Sequence, residues 1–313
     1  MSWTAGVAAA LVAAALTPNP VFRFADPAIT ESSGLVDLGP LMVTTNDSGG
    51  GPLVYVVDPA TGRTVGTTTF ADEVTDVEAL APAGPDAVWV GDIGDNAGSR
   101  PRVQVYRVAV GRGDRTVRAP AYDLVYPDGP HDAESLVLGR DGRLRIITKG
   151  ILGGRVYVAP RHLRTDRPNV LRAGAPVDLF ATDAALFPDG EHVLVRGYGS
   201  AVVATFPAFT PVASFALPSQ EQGEGVSISR SGRIRLSSEG VHSPVLQIRL
   251  PSAVRAAMAP AVRPAATPGL DGAGAQERGT FGARSWLSLG AGTLVVSALA
   301  GLVLRAAARR RRA

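Results

Sequence analysis

The hydrophobic residues of this chain fall in short runs, often alternating with polar residues, and Gly, Pro, Asn and Asp separate the runs. Runs of this length and period predict β-strands joined by turns. No stretch between residues 20 and 250 keeps the apolar period of a helix. In the first part of the chain the pattern predicts strands at 34–38, 41–45, 53–58 and 64–70. The chain is therefore predicted to be an all-β protein.

A degenerate motif recurs at the start of five predicted strands. It reads ESSGL at 31–35, DVEAL at 76–80, DAESL at 132–136, TDAAL at 182–186 and GEGV at 223–226. Aligned on their last apolar residue, successive copies lie 45, 56, 50 and 40 residues apart. This is the spacing of four-stranded blades in a β-propeller. We predict a β-propeller of five four-stranded blades, with a six-bladed ring as the alternative.

The fifth repeat has one strand fewer than the others. It supplies strands at 226–229, 233–237 and 245–250, whereas the apolar run 21–24 precedes the first motif and has no other partner. A propeller closes when its N-terminal strand completes the last blade, because the open edge is then removed. Residues 18–252 are thus predicted to form one ring closed by the N-terminal strand.

Blade geometry predicts where polar side chains meet. The innermost strand and the second strand run antiparallel, so first-strand starts and second-strand ends share one face of the ring. Acidic residues are frequent at or beside these positions: Asp47, Asp76, Glu78, Asp92, Asp95, Asp132, Glu134 and Glu224. His131, Lys149 and Arg196 occupy the same predicted face and are candidates for proton transfer or for binding substrate charge.

The predicted ring of carboxylates suggests a bound cation. Clustered carboxylates repel one another, and a rigid set of hard oxygen ligands suits Ca²⁺ better than Zn²⁺ or Fe. The loop GDIGDN at 91–96 adds Asp92, Asp95, an asparagine and two turn-forming glycines. In the alternative, inner-strand acids accept hydrogen bonds from backbone amides of the neighbouring blade and tie the ring together without a metal.

The motifs DVEAL, DAESL and EGV resemble the inner-strand motifs of calcium-dependent β-propeller phytases and of related bacterial secreted propeller proteins without an assigned activity. NDSGG, GDIGDN and ITKG resemble the second group in particular, and the resemblance covers residues 22–250. It implies a central calcium cluster, with ligands at Asp76, Glu78, Asp132, Glu134 and Glu224. This chain differs from the phytases in one feature that bears on activity. A polyphosphate substrate favours several Lys and Arg around its site, and this chain has a single lysine, which argues against phytase activity.

The two ends of the chain predict export and a membrane anchor. Residues 1–17 contain an Ala-rich apolar run too short to span a bilayer, which is typical of a signal peptide, although a disordered leader is the alternative. Residues 253–283 are rich in Ala, Pro and Gly and predict a stalk. Residues 284–305 predict a transmembrane helix, with a buried C-terminal helix as the alternative, and 306–313 form a basic tail. The positive-inside rule places that tail in the cytoplasm and the propeller outside, in a single-pass plasma-membrane protein.

Composition narrows the classes of partner. The absence of cysteine excludes disulfides and thiolate metal sites. Five arginines at and after the end of the predicted helix exceed the net charge of +3, so the rest of the chain is slightly acidic. No nucleic-acid-binding surface is therefore predicted.

These observations favour a membrane-anchored extracellular propeller. Its acidic face is predicted to bind Ca²⁺ and an extracellular protein or small-molecule ligand. The alternative from another class is a metal-dependent hydrolase of phosphoesters or lactones, in which ring carboxylates hold the metal. A third hypothesis is that the protein is a structural scaffold with no binding or catalytic site.

The predicted topology can be tested with inserted tags. A tag after Ala313 should be cytoplasmic, and a tag at Gly272 should be accessible from outside, because arginines follow the predicted span. Protease treatment of intact cells should release a fragment of the size of the propeller. Protection of the Gly272 tag together with accessibility of the Ala313 tag would reverse the predicted orientation.

Overall fold

The computed structural model describes residues 11–12, 18–47 and 49–259, the first two by their backbone alone. Within these residues the strands are, in chain order, β1 (Leu11–Val12), β2 (Asn19–Arg23), β3 (Ser32–Asp37), β4 (Met42–Asn46), β5 (Leu53–Val57), β6 (Thr64–Thr69), β7 (Val77–Pro82), β8 (Ala87–Asp92), β9 (Val103–Ala109), β10 (Arg115–Thr116), β11 (Ala121–Val125), β12 (Ala133–Leu138), β13 (Leu144–Thr148), β14 (Gly154–Val158), β15 (Asn169–Val170), β16 (Arg172–Val177), β17 (Asp183–Leu186), β18 (His192–Arg196), β19 (Ser200–Thr205), β20 (Pro211–Ala216), β21 (Val226–Ile228), β22 (Ile234–Leu236) and β23 (Pro244–Ile248). One helix, α1 (Ser252–Met258), follows the last strand.

These strands form five sheets, each built on four antiparallel strands. From the axis outward, the blades are β3-β4-β5-β6, β7-β8-β9-β11, β12-β13-β14-β16, β17-β18-β19-β20 and β21-β22-β23-β2. Three two-residue strands, β10, β15 and β1, pair in parallel with the outer strands β6, β11 and β20. The predicted five-bladed propeller is confirmed, and the six-bladed alternative is wrong.

The ring closes through its N-terminal strand, as the sequence predicts. Strand β2 pairs antiparallel with β23, with Phe22 opposite Val245 and Arg23 opposite Pro244. Phe24, just beyond this strand, is completely buried. The fifth blade therefore contains both ends of the ring, and its outer edge is supplied from the opposite end of the chain.

The hydrophobic core lies between blades rather than at one centre. Five clusters of buried apolar residues each join two neighbouring blades, the last joining the fifth blade to the first. The inner strands contact one another in sequence around the axis, and β21 meets β3 to complete the circle. Contact is closest at Gly34, where a Cβ would lie 2.6 Å from the backbone nitrogen of Leu80.

The structure differs from the predicted elements in two places. The sequence predicts the outer strand of the third blade at 177–180, but the observed strand, β16, precedes most of that run, because its Arg, Ala, Gly and Pro residues give a weak strand pattern. Helix α1 occupies the first residues of the segment predicted as a stalk, and its Val254 is buried against the core shared by the fourth and fifth blades.

No helix in the described part of the chain has the length and apolar character needed to cross a membrane. The predicted membrane segment at 284–305 and the basic tail lie outside the described residues, as does the predicted signal peptide apart from residues 11–12.

Candidate metal site

The starts of the inner strands and the ends of the second strands share one face, as predicted. Val77 pairs with Asp92, Ala133 with Thr148 and Asp183 with Arg196, so each inner-strand start lies beside a second-strand end. We call this surface the acidic face.

Three of the predicted ligands come together on the acidic face. Asp47 directly follows β4, whereas Asp76 precedes β7 and Glu78 is its second residue. One carboxylate oxygen from each lies within 4.8 Å of the other two. Glu78 is 2% exposed and Asp76 9% exposed. We call these residues the carboxylate trio, and they connect the first blade to the second.

A neighbouring hydroxyl and a neighbouring backbone amide hold the trio in place. Ser33 Oγ donates to the carbonyl oxygen of Glu78 at 2.6 Å and lies 3.1 Å from its Oε2. The amide of Gly94 donates to the carbonyl oxygen of Asp76 at 3.1 Å. A Cβ at Gly94 would collide with the Asp76 carboxylate and lie 2.9 Å from Glu78 Cγ. The glycine of the GDIGDN loop therefore provides space for two carboxylates.

The trio is electrostatically strained when no cation is bound. Burial raises the pKa of Asp76 to about 6, and the charges of Asp47 and Asp132 add to this shift. Burial also raises the pKa of Glu78 far above its ordinary value, and the charges of Glu134 and Asp47 raise it further. The proximity of the Asp47 carboxyl group to that of Glu78 contributes to this raised pKa.

Asp76 also has an unused ligand atom. Its Oδ1 is buried and has no hydrogen-bond partner among the described residues. A buried acceptor without a partner is costly, so this atom indicates a missing water or cation. Only oxygen donors surround the position, and these favour a hard divalent ion such as Ca²⁺.

Asp92 has a different role from the one predicted. Its carboxylate accepts hydrogen bonds from the amides of Thr75 at 3.1 Å and Asp76 at 2.8 Å, and it forms an ion pair with Arg100 at 2.9 Å. These contacts occupy both oxygens, so Asp92 positions the segment that carries Asp76. Arg100 could not be recognised from the sequence, because a lone arginine after a loop resembles a solvated side chain.

Asp95 is likewise used within its own loop. Its two oxygens accept from the amides of Ser99 and Arg100, both at 2.9 Å, while its own amide donates to Asp132 Oδ1 at 2.8 Å. Asp95 and Asp132 therefore support the site, and the structure does not bring them into the trio.

Glu134 is paired with a cation that the protein already supplies. Lys149 Nζ forms an ion pair with Glu134 Oε1 and lies 5.2 Å from the ring centre of Phe180 and 5.9 Å from that of Tyr198. Burial alone would lower the pKa of Lys149, but the charge of Glu134 raises it above its ordinary value. Sequence reasoning placed Tyr198 on this face but missed Phe180, which lies outside the repeated motif.

Glu224 is the fifth predicted inner-strand ligand. It is 3% exposed, and its Oε2 is buried without a hydrogen-bond partner among the described residues. Burial raises its pKa, whereas the charges of Lys149 and Arg196 lower it. Glu224 is thus a further carboxylate at the centre of the face, next to the Lys149 and Glu134 pair.

Arg196 and Asp183 join two blades through hydrogen bonds, without a metal. Arg196 is completely buried, and its NH1 donates to the carbonyl oxygens of Gly225 at 2.7 Å and Ser237 at 3.0 Å. Asp183 Oδ2 accepts from the amide of Val226 at 2.7 Å. Both residues tie the fourth blade to the fifth. Arg196, a predicted candidate for binding substrate charge, thus lies in the interior with its guanidinium bonded to backbone carbonyls.

His131 lies beside the acidic face but outside the trio. Its Nε2 is 3.0 Å from Asp128 Oδ1 and 2.8 Å from the hydroxyl of Tyr157. Its ring packs against Tyr126 and Tyr157, each with centroids 5.1 Å apart. The imidazole is thus held by one carboxylate and two aromatic rings of the second and third blades.

Comparison with known proteins adds little to this geometry. No protein-family model and no curated protein matches the sequence. Among solved structures, the chain is similar to a gluconolactonase from Xanthomonas campestris described as important in glucose secondary metabolic pathways, with 17% identity and a TM-score of 0.44 over 77% of this chain and 89% of that one. A similarity of this size assigns no activity.

The raised pKa of Asp76 predicts a pH dependence of stability in the absence of divalent cations. The folded protein retains a proton on Asp76 up to about pH 6, above the ordinary value of 3.8, so between these values it binds more protons than the unfolded chain. The free energy of unfolding should therefore fall as pH rises through this window. Asp76→Asn should remove part of that fall in urea unfolding with a chelator present.

Asp86→Asn is the matched control, because Asp86 lies exposed in the β7–β8 turn on the opposite face. It should leave the pH profile unchanged. An equal slope for Asp76→Asn and the unsubstituted protein between pH 4 and 6 would show that Asp76 is not the titrating group.

Proposed function

We propose that this protein is a β-propeller that binds a divalent cation at the carboxylate trio and uses the surrounding acidic face to bind a ligand or partner. The observation that supports this proposal is the trio itself. Three carboxylate oxygens lie within 4.8 Å of one another, and the adjacent Asp76 Oδ1 is buried without a partner.

A cation would remove the strain that the trio carries. Burial raises the pKa of Asp76 and of Glu78, because it disfavours their charged forms. A divalent ion would compensate these charges and supply a partner for Asp76 Oδ1. Calcium is our first candidate, because its flexible geometry accepts several carboxylates and leaves sites for water.

The rim of the acidic face supports a binding role. Most of the exposed large apolar side chains in the described residues lie in loops that follow second strands, on this face. They are Ile151 and Leu152 in the β13–β14 loop, which are 89% and 99% exposed, Tyr198 in the β18–β19 loop and Val241 in the β22–β23 loop. Apolar rim residues around a charged centre fit a partner that contacts the rim and the bound ion together.

We further propose that the propeller acts at the outer surface of the plasma membrane, held by the segment at 284–305. The composition of that segment and the arginines after it support this location. Its partner is then an extracellular protein or small molecule.

The cation proposal is tested by metal analysis and melting curves of the full chain, prepared with calcium and after chelation. An ion at a hundred times its Kd should raise the free energy of unfolding by about 2.7 kcal/mol. Glu78→Gln removes one anionic ligand and should weaken calcium binding and reduce this stabilisation. Calcium affinity should also rise with pH, because binding displaces a proton.

Two further variants serve as comparisons. Glu134→Gln removes the ion-pair partner of Lys149, whose side chain is 15% exposed, and it should lower the free energy of unfolding by about 3 kcal/mol both with and without calcium. Glu191→Gln, an exposed change on the opposite face, should alter neither quantity. Absence of bound calcium and of any shift in melting would exclude the cation site, and equal losses with and without calcium in Glu78→Gln would make Glu78 structural.

A second candidate function is metal-dependent hydrolysis of phosphoesters or lactones. The observation favouring it is Glu239, at the end of the second strand of the fifth blade, where burial and the charges of Glu224 and Asp47 raise the pKa to about 7. A carboxyl with this pKa suits proton transfer near neutral pH. Turnover of a lactone or phosphoester by the calcium-loaded chain, lost in Glu239→Gln with calcium still bound, would favour the enzyme over the binding module.

A further inference from the structure

A cavity lies at the other end of the central channel. It has a volume of about 430 Å³, within the usual range of roughly 300–1,000 Å³ for small-molecule pockets. The later residues of the inner strands line it, whereas the carboxylate trio lies at the strand starts on the acidic face. Each of the five blades contributes an apolar lining residue, namely Leu35, Leu80, Leu136, Leu186 and Ile228.

Only two charged residues line this cavity, and one of them is already neutralised. Asp37 Oδ2 forms an ion pair with Arg235 at 2.9 Å, and its Oδ1 accepts from the amide of Gly39 at 2.7 Å. Arg230 is the other. It lies exposed in the turn after β21, and its side chain forms no ion pair or hydrogen bond within the described residues. The cavity therefore has one positive charge available at its edge.

A second polar group of the lining is also uncommitted. Ser227 is 4% exposed, and its Oγ has no hydrogen-bond partner among the described residues. A buried hydroxyl without a partner is unfavourable unless water or a ligand satisfies it. Ser227 lies three residues before Arg230, so one molecule can reach both groups while its body contacts the apolar lining.

We infer that this cavity binds an amphipathic monocarboxylate, with the hydrocarbon body against the inner strands and the carboxylate at Arg230. A cationic head group would be repelled by Arg230, and a neutral one would accept a hydrogen bond from it without the attraction between opposite charges. The site lies on the face opposite the acidic face, and the inference does not depend on the proposed cation or its function.

The inference is tested by calorimetric titration of the full chain with octanoate, octan-1-ol and octylamine. Octanoate should bind with a negative heat-capacity change, because apolar surface is buried, and about tenfold more tightly than the alcohol or the amine. Arg230→Gln should abolish this preference. Arg233→Gln changes an exposed arginine in the same turn that does not line the cavity, and it should preserve the preference.

A second pair of variants locates the hydrocarbon body. Ala185 lines the cavity on β17, so Ala185→Phe should fill it and abolish binding of all three compounds, whereas Ala185→Ser should retain binding. Melting curves establish that each variant is folded. If Ala185→Phe does not fold, Arg230→Gln still tests whether the carboxylate binds at Arg230.

Three results would overturn the inference. The first is no octanoate binding at millimolar concentration. The second is equal affinity for the three compounds in the unsubstituted chain. The third is octanoate binding that disappears on chelation of calcium, because the ligand would then lie on the acidic face.

Discussion

The inner strands of the five blades converge on one axis, and the side chains at their starts are therefore forced into a small volume. Four of the five repeats place a buried carboxyl group there, and the first places the partly exposed Glu31 and Asp47. Buried charges of one sign are costly unless each finds a partner. The contacts of the acidic face are the different ways in which these buried charges are stabilised.

Most of these acids are stabilised by hydrogen bonds or ion pairs with other residues of the protein. Asp183 accepts a backbone amide from the fifth blade, Glu134 is paired with Lys149, and Asp92 is paired with Arg100. Asp76 and Glu78 form no ion pair within the described residues, and burial together with neighbouring carboxylates raises the pKa of both. These two acids therefore lack the cationic partner that Glu134 and Asp92 have.

The fold was predictable because blade spacing, turn residues and strand length repeat along the chain. Ring closure followed from counting strands, since the run at 21–24 had no other partner. The site was predictable only as a face. Sequence position placed Asp92 beside Asp76, but it could not show that Arg100 would occupy the Asp92 carboxylate, because that contact depends on the path of an irregular loop. Nor could the sequence distinguish Asp183, which bonds an amide of the next blade, from Glu78, which does not.

The two ends of the channel are built from the same strands and have opposite character. The repeated motif has an acid in its first or second position and ends with Leu or Val, so each inner strand has a charged residue toward one face and an apolar residue toward the other. A β-strand rises about 3.3 Å per residue, so four or five residues separate the two environments by only ~15 Å. This short distance is sufficient because the apolar inter-blade contacts hold each strand at a fixed height along the axis.

A cation at the trio would also act as a contact between blades. Asp47 belongs to the first blade, whereas Asp76 and Glu78 belong to the second, so an ion bound by all three would join the pair as Arg196 and Asp183 join the fourth and fifth. Part of its binding free energy would then stabilise the ring. A partner that contacts the ion would bind more tightly to the loaded protein, and by linkage it would strengthen ion binding in return. Cation binding, ring stability and ligand binding would therefore be coupled at one face, while the apolar cavity at the other end would stay free to bind its own ligand.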